Sequence, residues 1–339
     1  SVPFADLASL AGDGSWAVSA HLSLNGDLVS LGTGQQAAAM SATNGRIVRI
    51  DGEQAGGSGA LGDYLQVLWL IPAMDGLFTG PGSERRRFLD RMVVSFDGAH
   101  RRRLNQFERA MRQRNRLLEM NERAARMFEA IESQMAEIGT AIAAARIEAV
   151  ARLRSPDMRA ARPETGTFPH ALLALEGTLE EALGEKPAVD VEDDYARMLA
   201  ESRERDRAAG RTLIGPHRAD LRVRHGPKDM PAELCSTGEQ KALLIGLVLA
   251  HAKAVKDTRS GLAPLLLLDE IAAHLDALRR EALFEEIDQL GAQTWLTGTD
   301  EAVFAPLRER AQFFTIADGS VAESAGEGAR RDDRHLSTG

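Results

Sequence analysis

Two short segments constrain this chain more than the rest of it. One is Ser236-Thr237-Gly238-Glu239-Gln240-Lys241, a serine and a glycine in a tight turn that opens directly into an apolar helix starting near Ala242. The other, further along, is Leu265-Leu266-Leu267-Leu268-Asp269-Glu270, four aliphatic residues followed by two adjacent carboxylates. By pattern the leucines are a buried strand with the two acids at its end. An apolar helix followed by a buried strand puts both kinds of element in the interior. The length suits that demand, since 339 residues give room for one large domain or two ordinary ones with a sizeable core.

Composition narrows the class. At 44% hydrophobic and 27% charged, the chain is that of a soluble globular protein. No run approaches the roughly eighteen apolar residues of a membrane-spanning helix. Ser1-Val2-Pro3-Phe4 has neither an initiator Met nor the basic and apolar regions of a signal peptide, and reads as the interior of a longer chain. One cysteine, Cys235, rules out an internal disulfide and fits a reducing cytoplasm. Its place beside the serine-glycine turn invites a catalytic role, but no His or Asn motif accompanies it, and a lone cysteine is usually a small buried hydrophobe. With a net charge of -9 the protein is not basic throughout, so nucleic-acid binding must come from a local patch.

Along the chain, short apolar runs alternate with Gly, Asn and Asp turns over 16–50 (Leu24-Asn25-Gly26-Asp27, Asn44-Gly45-Arg46), a β-meander pattern. A glycine-rich loop at 55–62 precedes an apolar strand at 64–71, ended by Pro72. From 85 to 153 the apolar residues Leu104, Phe107 and Met111, then Phe128, Ile131, Met135, Ile138 and Ile142, follow three-four spacing. That is the stripe of a long amphipathic helix or a helical hairpin packing on itself. The stripe falters between Leu118 and Phe128, which disfavours an extended coiled coil. Ser155-Pro156 and Arg162-Pro163 end this lobe. An apolar stretch at 172–175, an acidic loop at 190–194, a polar helix at 195–209 and renewed strand character at 212–215 follow. Beyond Asp318 the Gly, Ser and charged residues lack periodicity, as in a disordered tail. No internal repeat is apparent.

The two opening segments resemble the signature loop and the Walker B strand of ABC-type ATPases. Hydrolysis of ATP at neutral pH needs Mg2+ beside the phosphates and a base that orients the attacking water. At the end of a buried strand, Asp269 is positioned to bind Mg2+ through water, and Glu270, on the other side by strand alternation, to poise the attacking water. An ordinary strand end with two solvated acids is the alternative. Ala273-His274-Leu275-Asp276 follows and resembles the D-loop, whose Asp lies at a dimer interface. Thr294-Trp295-Leu296-Thr297-Gly298-Thr299-Asp300 reads as the next strand and its exit loop, where transporter ATPases carry a switch histidine. Thr299 and Asp300 stand there instead, which weakens a transporter reading and makes them switch-loop candidates. In the signature turn a hydroxyl, free N–H groups and a helix dipole suit an anion. The resemblance to ABC-type ATPases implies that Ser236, Gly238 and Gln240 face ATP held by a second subunit. A plain helix cap by Ser236 is the alternative. No G-x-x-x-x-G-K-[ST] phosphate loop occurs among these 339 residues, so they carry half of an ATP site.

Two more segments point to one family. Pro72-Ala73-Met74-Asp75-Gly76-Leu77-Phe78-Thr79-Gly80-Pro81, running into Arg85-Arg86-Arg87-Phe88-Leu89-Asp90, and Gly215-Pro216-His217-Arg218-Ala219-Asp220 resemble stretches of RecF proteins. With the signature, Walker B and D-loop residues, their order and character match that family along nearly the whole chain. The resemblance implies an ABC/SMC-type α/β head of two lobes with a helical arm. The departure is the start, where the P-loop unit of the family is missing. The expected division is 1–84, remainder of the first ATPase lobe; 85–210, helical arm; 211–318, second ATPase lobe; and 319–339, tail. The resemblance further implies ATP and Mg2+ as cofactors, Asp269 as the metal ligand, Asp269 and Glu270 as catalytic residues, and an ATP-dependent homodimer. It implies binding to double-stranded DNA or a gap junction, work with RecO and RecR in loading recombinase, and a cytoplasmic setting in repair, replication and the SOS response. Hydrolysis by these residues alone is expected to be negligible. A non-catalytic DNA-binding scaffold with an ABC-type head is the rival reading.

The basic stretch admits two readings. Arg85, Arg86, Arg87 and Arg91, then Arg101, Arg102 and Arg103, with Arg109, Arg112, Arg114 and Arg116, suit salt-sensitive contact with phosphates. Without interleaved aromatics, duplex backbone fits better than single strands. Equally, they suit a solvated helix in which Arg87 or Arg91 pairs with Asp90 or Glu84. His217 and Arg218 stand open between contacting nucleotide or DNA and bracing the signature helix.

Overall fold

Strands Trp16–Leu24 (β1), Asp27–Gln35 (β2), Ile47–Ile50 (β3) and Glu53–Gln54 (β4) form an antiparallel meander in chain order. The computed structural model describes residues 7–8, 12–24, 26–36, 46–120, 125–154, 168–259, 261–318 and 320–324. Between β3 and β4 the chain reverses through Asp51 and Gly52, both at positive φ (50° and 84°), the hairpin geometry whose twist matches the flanking strands. Asp51 pins this turn to β2: its carboxylate accepts the Ser30 N–H at 2.8 Å and its own N–H donates to the Ser30 carbonyl at 2.8 Å.

Strand Val67–Leu70 (β5) is followed by three helices, Gly82–Phe96 (α1), His100–Glu119 (α2) and Ala125–Leu153 (α3). Next come Ala171–Glu176 (β6), Thr178–Leu183 (α4), Ala188–Glu201 (α5) and Arg203–Ala209 (α6). The chain continues through Asp220–His225 (β7), Met230–Pro231 (β8), Thr237–Thr258 (α7), Leu265–Leu268 (β9) and Ala277–Leu290 (α8). It closes with Thr294–Leu296 (β10) and the hairpin Phe313–Ala317 (β11) and Ser320–Ser324 (β12). Strands β5, β9 and β10 make a parallel sheet with β9 in the centre, and β6, β7 and β8 an antiparallel one with β7 in the centre.

Three expectations are corrected. The acids at 190–194 are not a loop but the first turns of α5, where negative charge complements the helix dipole. Residues 212–215 are not a strand, because side chains take their amides: Thr212 N–H donates to Asn115 Oδ1 at 3.0 Å and Leu213 N–H to Asp206 Oδ1 at 3.2 Å. The strand begins only at Asp220, after the Pro216–Arg218 turn. Within the span expected to be a tail, Ser320–Ser324 pairs with β11. The breaks at Ser155-Pro156 and Arg162-Pro163, the Asn44-Gly45 turn and the tail beyond 324 lie outside the described residues.

Two apolar cores organise the described residues. One gathers Leu68 and Leu70 of β5, Leu266 and Leu268 of β9, and Leu243, Leu244 and Leu247 of α7, with Leu89 and Met92 of α1. The other belongs to the helices: Phe107, Phe128, Ile131, Met135 and Ile142 meet Val191, Tyr195 and Leu199 of α5. Gly139 lets α3 and α5 approach, since a Cβ there would lie 2.8 Å from Tyr195 Cε1. The opposite face of the parallel sheet carries Trp69, Leu267 and Trp295 in register across its three strands. Leu267 and Trp295 are exposed, and Phe314 of β11 stacks on Trp295 at 6.2 Å.

Candidate nucleotide site and basic surface

Ser236 caps α7. Its hydroxyl accepts the Glu239 N–H at 3.4 Å and donates to Glu239 Oε2 at 2.9 Å, and its N–H donates to the same oxygen at 2.9 Å, a capping box. Lys228 bonds the other carboxylate oxygen, and that bond, with those from Ser236, holds the Glu239 carboxyl down at about 2. Gly238 is exposed, and a Cβ there would have only Arg279 Nη1 within reach, at 3.9 Å. The start of α8 therefore lies beside the start of α7. Gln240 is buried and its amide donates to the Cys235 carbonyl at 2.8 Å, so it ties the turn to itself. Cys235 is buried as well, and burial pushes its thiol up, away from nucleophilic character.

Asp269 follows β9 directly, and its N–H donates to the Leu70 carbonyl at 2.9 Å. Thr297, the residue after β10, organises both acids. Its hydroxyl donates to Asp269 Oδ1 at 2.5 Å and accepts the Glu270 N–H at 3.1 Å, while its own N–H donates to the Leu268 carbonyl at 3.1 Å. Sequence reading gave Thr297 no role; the signal that could have found it is the parallel pairing Leu296↔Leu268, which sets the residues following β9 and β10 side by side. Glu270 has a φ of 53°, in the left-handed region that side chains disfavour. Its position is therefore set by a backbone turn and not by strand alternation, since β9 stops at Leu268.

Asp276 is the N-cap of α8, accepting the Arg279 N–H at 2.9 Å, and is exposed. Thr299 is exposed in the exit loop, and Asp300 caps the following turn by accepting the Ala302 N–H at 2.9 Å. Among the described residues no group of three or more His, Cys, Asp or Glu converges on a metal position. The exposed carboxylate of Asp269, with one oxygen on Thr297, suits Mg2+ held through water and phosphate oxygens rather than in an all-protein cage.

The structure divides the arginines by what they touch. Arg85 grips Asp220 with two bonds (2.9 and 2.7 Å) and reaches the Gly80 carbonyl at 2.6 Å, and Arg86 donates to the Ala219 carbonyl at 2.8 Å. The segments 72–90 and 215–220 are thus bonded to each other. Burial alone would raise the Asp220 carboxyl, but the Arg85 bond and charge outweigh it and hold it below the usual range. Lys241 of α7 joins the same region, 3.1 Å from Asp75 Oδ2. Arg91 lies over Trp69 at 4.4 Å and Phe88 at 5.0 Å. Asp90 pairs with neither Arg87 nor Arg91 but with Arg146 (2.8 and 2.9 Å) and His100 (2.9 Å). Arg103 pairs with Asp97, and Arg114 is fully buried among Glu132, Asp206 and Thr212. Arg87, Arg101, Arg102, Arg109, Arg112 and Arg116 are exposed. His217 braces the helical lobe: its Nε2–H donates to the Thr212 carbonyl at 3.0 Å and its ring lies 5.9 Å from Phe107, while burial lowers its pKa. Arg218 is exposed.

Comparison with known proteins adds the family. No protein-family model matches the chain. A DNA replication and repair protein RecF from Mesorhizobium japonicum is 54% identical over 319 residues, covering 94% of this chain and 83% of the relative. RecF proteins of Rhizobium rhizogenes and Brucella suis biovar 1 are 53% and 52% identical, covering 95% and 93% of this chain and 84% and 81% of themselves. Among solved structures, the recombination mediator protein RecF-ATPrS in the RecFOR pathway superposes with a TM-score of 0.80 at 19% identity, covering 96% of this chain and 84% of that one. A RecF-ATP structure of the same pathway gives 0.72, also at 19% identity, covering 91% of this chain and 81% of its own. The α/β head fold expected from the motifs is the fold these structures share.

Proposed function

This chain belongs to the RecF family of DNA replication and repair proteins, and from that premise we propose that it is a DNA-binding ATPase subunit whose grip on duplex DNA is coupled to ATP-driven pairing of two copies. The observation that carries the reading is the Thr297 hydroxyl, which gathers Asp269 and Glu270 at the end of the central parallel strand. Bound with ATP, Mg2+ would neutralise charge on the phosphates. Asp269 is suited to hold it, with its carboxylate oriented by Thr297, and Glu270 to orient the attacking water and accept its proton. Ser236 and Gly238 are exposed at the start of α7, suited to the phosphates of ATP on the second copy, and Asp276 belongs to the same face. Gln240 then acts by holding the turn. Arg87, Arg101 and Arg102 are free to meet DNA phosphates, whereas Arg85, Arg86 and Arg103 act through Asp220, Ala219 and Asp97. Solved structures whose fold this chain shares are described within the RecFOR pathway, which supports RecO- and RecR-type mediators as partners. These 339 residues contain no G-x-x-x-x-G-K-[ST] loop, so by themselves they turn over ATP negligibly.

The test is a chimera with a RecF phosphate-loop unit grafted ahead of Ser1, compared with the same chimera carrying Glu270→Gln. Stalled turnover with an ATP-dependent dimer that persists on duplex DNA supports the reading. Turnover unaffected by the substitution would remove Glu270 from the chemistry and favour the non-catalytic scaffold.

A further inference from the structure

The arginines that are neighbours in sequence are not the ones the helical lobe gathers at its surface. Arg207, in the last turn of α6, donates from Nε to the Leu118 carbonyl at 3.2 Å, 89 positions earlier. Thr212 donates from its amide and its hydroxyl to Asn115 Oδ1 at 3.0 and 2.7 Å, which sets Arg211 beside the same end of α2. Asn115 and Leu118 are about one helical turn apart, and Arg116 lies between them in the last turn of α2. Arg116, Arg207 and Arg211 are all exposed.

We propose that Arg116, Arg207 and Arg211 form a phosphate-gripping edge of the helical lobe that binds duplex DNA; the proposal rests on the DNA-binding reading above and adds a surface that the arginine triplets do not contain. Charge is the first argument. Several exposed arginines elsewhere are paired with acids: Arg112 with Glu108, Arg197 with Asp194, Arg222 with Glu176, Arg224 with Asp229, Arg308 with Glu301 and Arg310 with Asp288. Arg87, Arg101 and Arg102 of the triplets, and Arg205 and Arg218, are exposed without a carboxylate partner among the described residues, so it is the convergence of the three at one end of the lobe that sets them apart. Among the described residues no carboxylate pairs with any of the three, although Glu119 and Glu204 are exposed nearby in sequence. In a chain of net charge -9, a group of unpaired guanidinium groups is suited to an external anion.

Positioning is the second argument. Each member adjoins the buried network of Arg114, whose guanidinium bonds Glu132 at 2.9 Å, Asp206 at 2.7 Å, Thr212 at 3.0 Å and the Leu199 carbonyl at 2.7 Å. Asp206 precedes Arg207, and Thr212 follows Arg211, so the network fixes the backbone from which the surface groups project. Basic residues at helix C-termini also complement the helix dipole. That accounts for the Arg207 Nε bond but not for Arg211, which lies past the Gly210 cap of α6. The only aromatic side chain of α2 and α6, Phe107, is buried, so there is no platform for stacking unpaired bases, and duplex backbone is the fitting partner.

The experiment follows binding of the phosphate-loop chimera described above, with ATP present, to a labelled duplex by fluorescence anisotropy across a salt series. Arg116→Gln/Arg211→Gln spares the helix-capping Arg207, and Arg197→Gln/Arg222→Gln removes the same charge from paired sites elsewhere. The first double variant is expected to bind roughly ten-fold more weakly near 0.1 M salt, with a log K versus log[salt] slope shallower by about two. The control pair should keep the slope, and Arg116→Lys/Arg211→Lys should restore most of it. A Gln double variant indistinguishable from the control, or a Lys variant as weak as the Gln one, overturns the edge while leaving DNA binding intact. A parent chimera that, with ATP, does not bind duplex at low salt overturns both the edge and the DNA-binding reading.

Discussion

At Glu270 the backbone bears a strain that the fold has to carry. Its φ of 53° costs a side chain on the order of 1 kcal/mol, a cost glycine does not incur. The exposed carboxylate makes no compensating bond among the described residues; only its N–H is held, by Thr297. Glu270→Gly should therefore raise unfolding stability by up to about 1 kcal/mol in urea titration. A clear loss of stability would show that the carboxylate has a structural partner. Legibility at this scale depended on adjacency in the chain. Ser236, Asp269, Glu270 and Asp276 could be read because each sits inside a contiguous run that announces a turn or a strand end. Thr297 could not, because it is 27 positions from Glu270 and meets it only through parallel strand pairing. Gln240 lay in the right run, but its burial beneath the turn, which sets its bond to Cys235, is not written in the run.

Elements were legible where apolar spacing alone decides them. The stripe Leu104, Phe107 and Met111 lies on α2, the stripe from Phe128 to Ile142 on α3, and the falter after Leu118 falls between the two helices. Spacing fails where a polar residue takes a core position. Arg114 is wholly buried in the helical lobe, and an arginine at that place in the pattern reads as solvated surface. The same network explains the misread strand at 212–215, whose amides answer to Asn115 and Asp206 instead of a neighbouring strand. Arg114 thereby joins α2, α3, α5 and α6 to the segment that leads into β7. Arg114→Gln leaves Glu132 and Asp206 buried with a partner lost, and should cost about 3–5 kcal/mol of unfolding free energy by urea titration. Arg114→Lys should recover only part of it, since an ammonium cannot reproduce the fork that serves both acids. Full recovery by lysine would mean that charge alone, without geometry, holds the lobe together.

The whole molecule joins its two cores through helices that carry ionisable groups inward, which gives its stability a definite pH profile. His251 lies within α7, bonded through Nε2 to Ser95 Oγ at 2.6 Å and edge-on to Phe96 at 5.3 Å. Burial pushes its pKa down to about 3, and burial also lowers His217 at the foot of the helical lobe. Both are bases whose folded pKa lies below the unfolded value near 6.5, so below that pH the unfolded chain binds more protons and stability falls. Asp90, Asp220 and Glu239 act in a lower window with the same sign, while burial raises Glu180, which acts with the opposite one. Burial alone would raise Asp90 and Asp220, but their arginine and histidine partners hold both below the ordinary range, and Glu239 is held at about 2. Their contribution is complete above the unfolded carboxylate range and fades as pH falls through the folded values. Unfolding free energy should therefore be highest between about pH 7.5 and 8, falling on the acid side first through the two histidines and on the alkaline side as the raised Cys235 and Tyr195 lose their protons in the unfolded chain. Between about pH 6 and 4.5 each buried histidine adds at most about 1.4 kcal/mol per pH unit. His251→Leu should flatten this upper window while leaving the steeper loss below about pH 4 in place. Because leucine also removes the Ser95 bond, the slope of stability with pH is the quantity to compare, and an unchanged slope would show that His251 takes up its proton without unfolding the core around it.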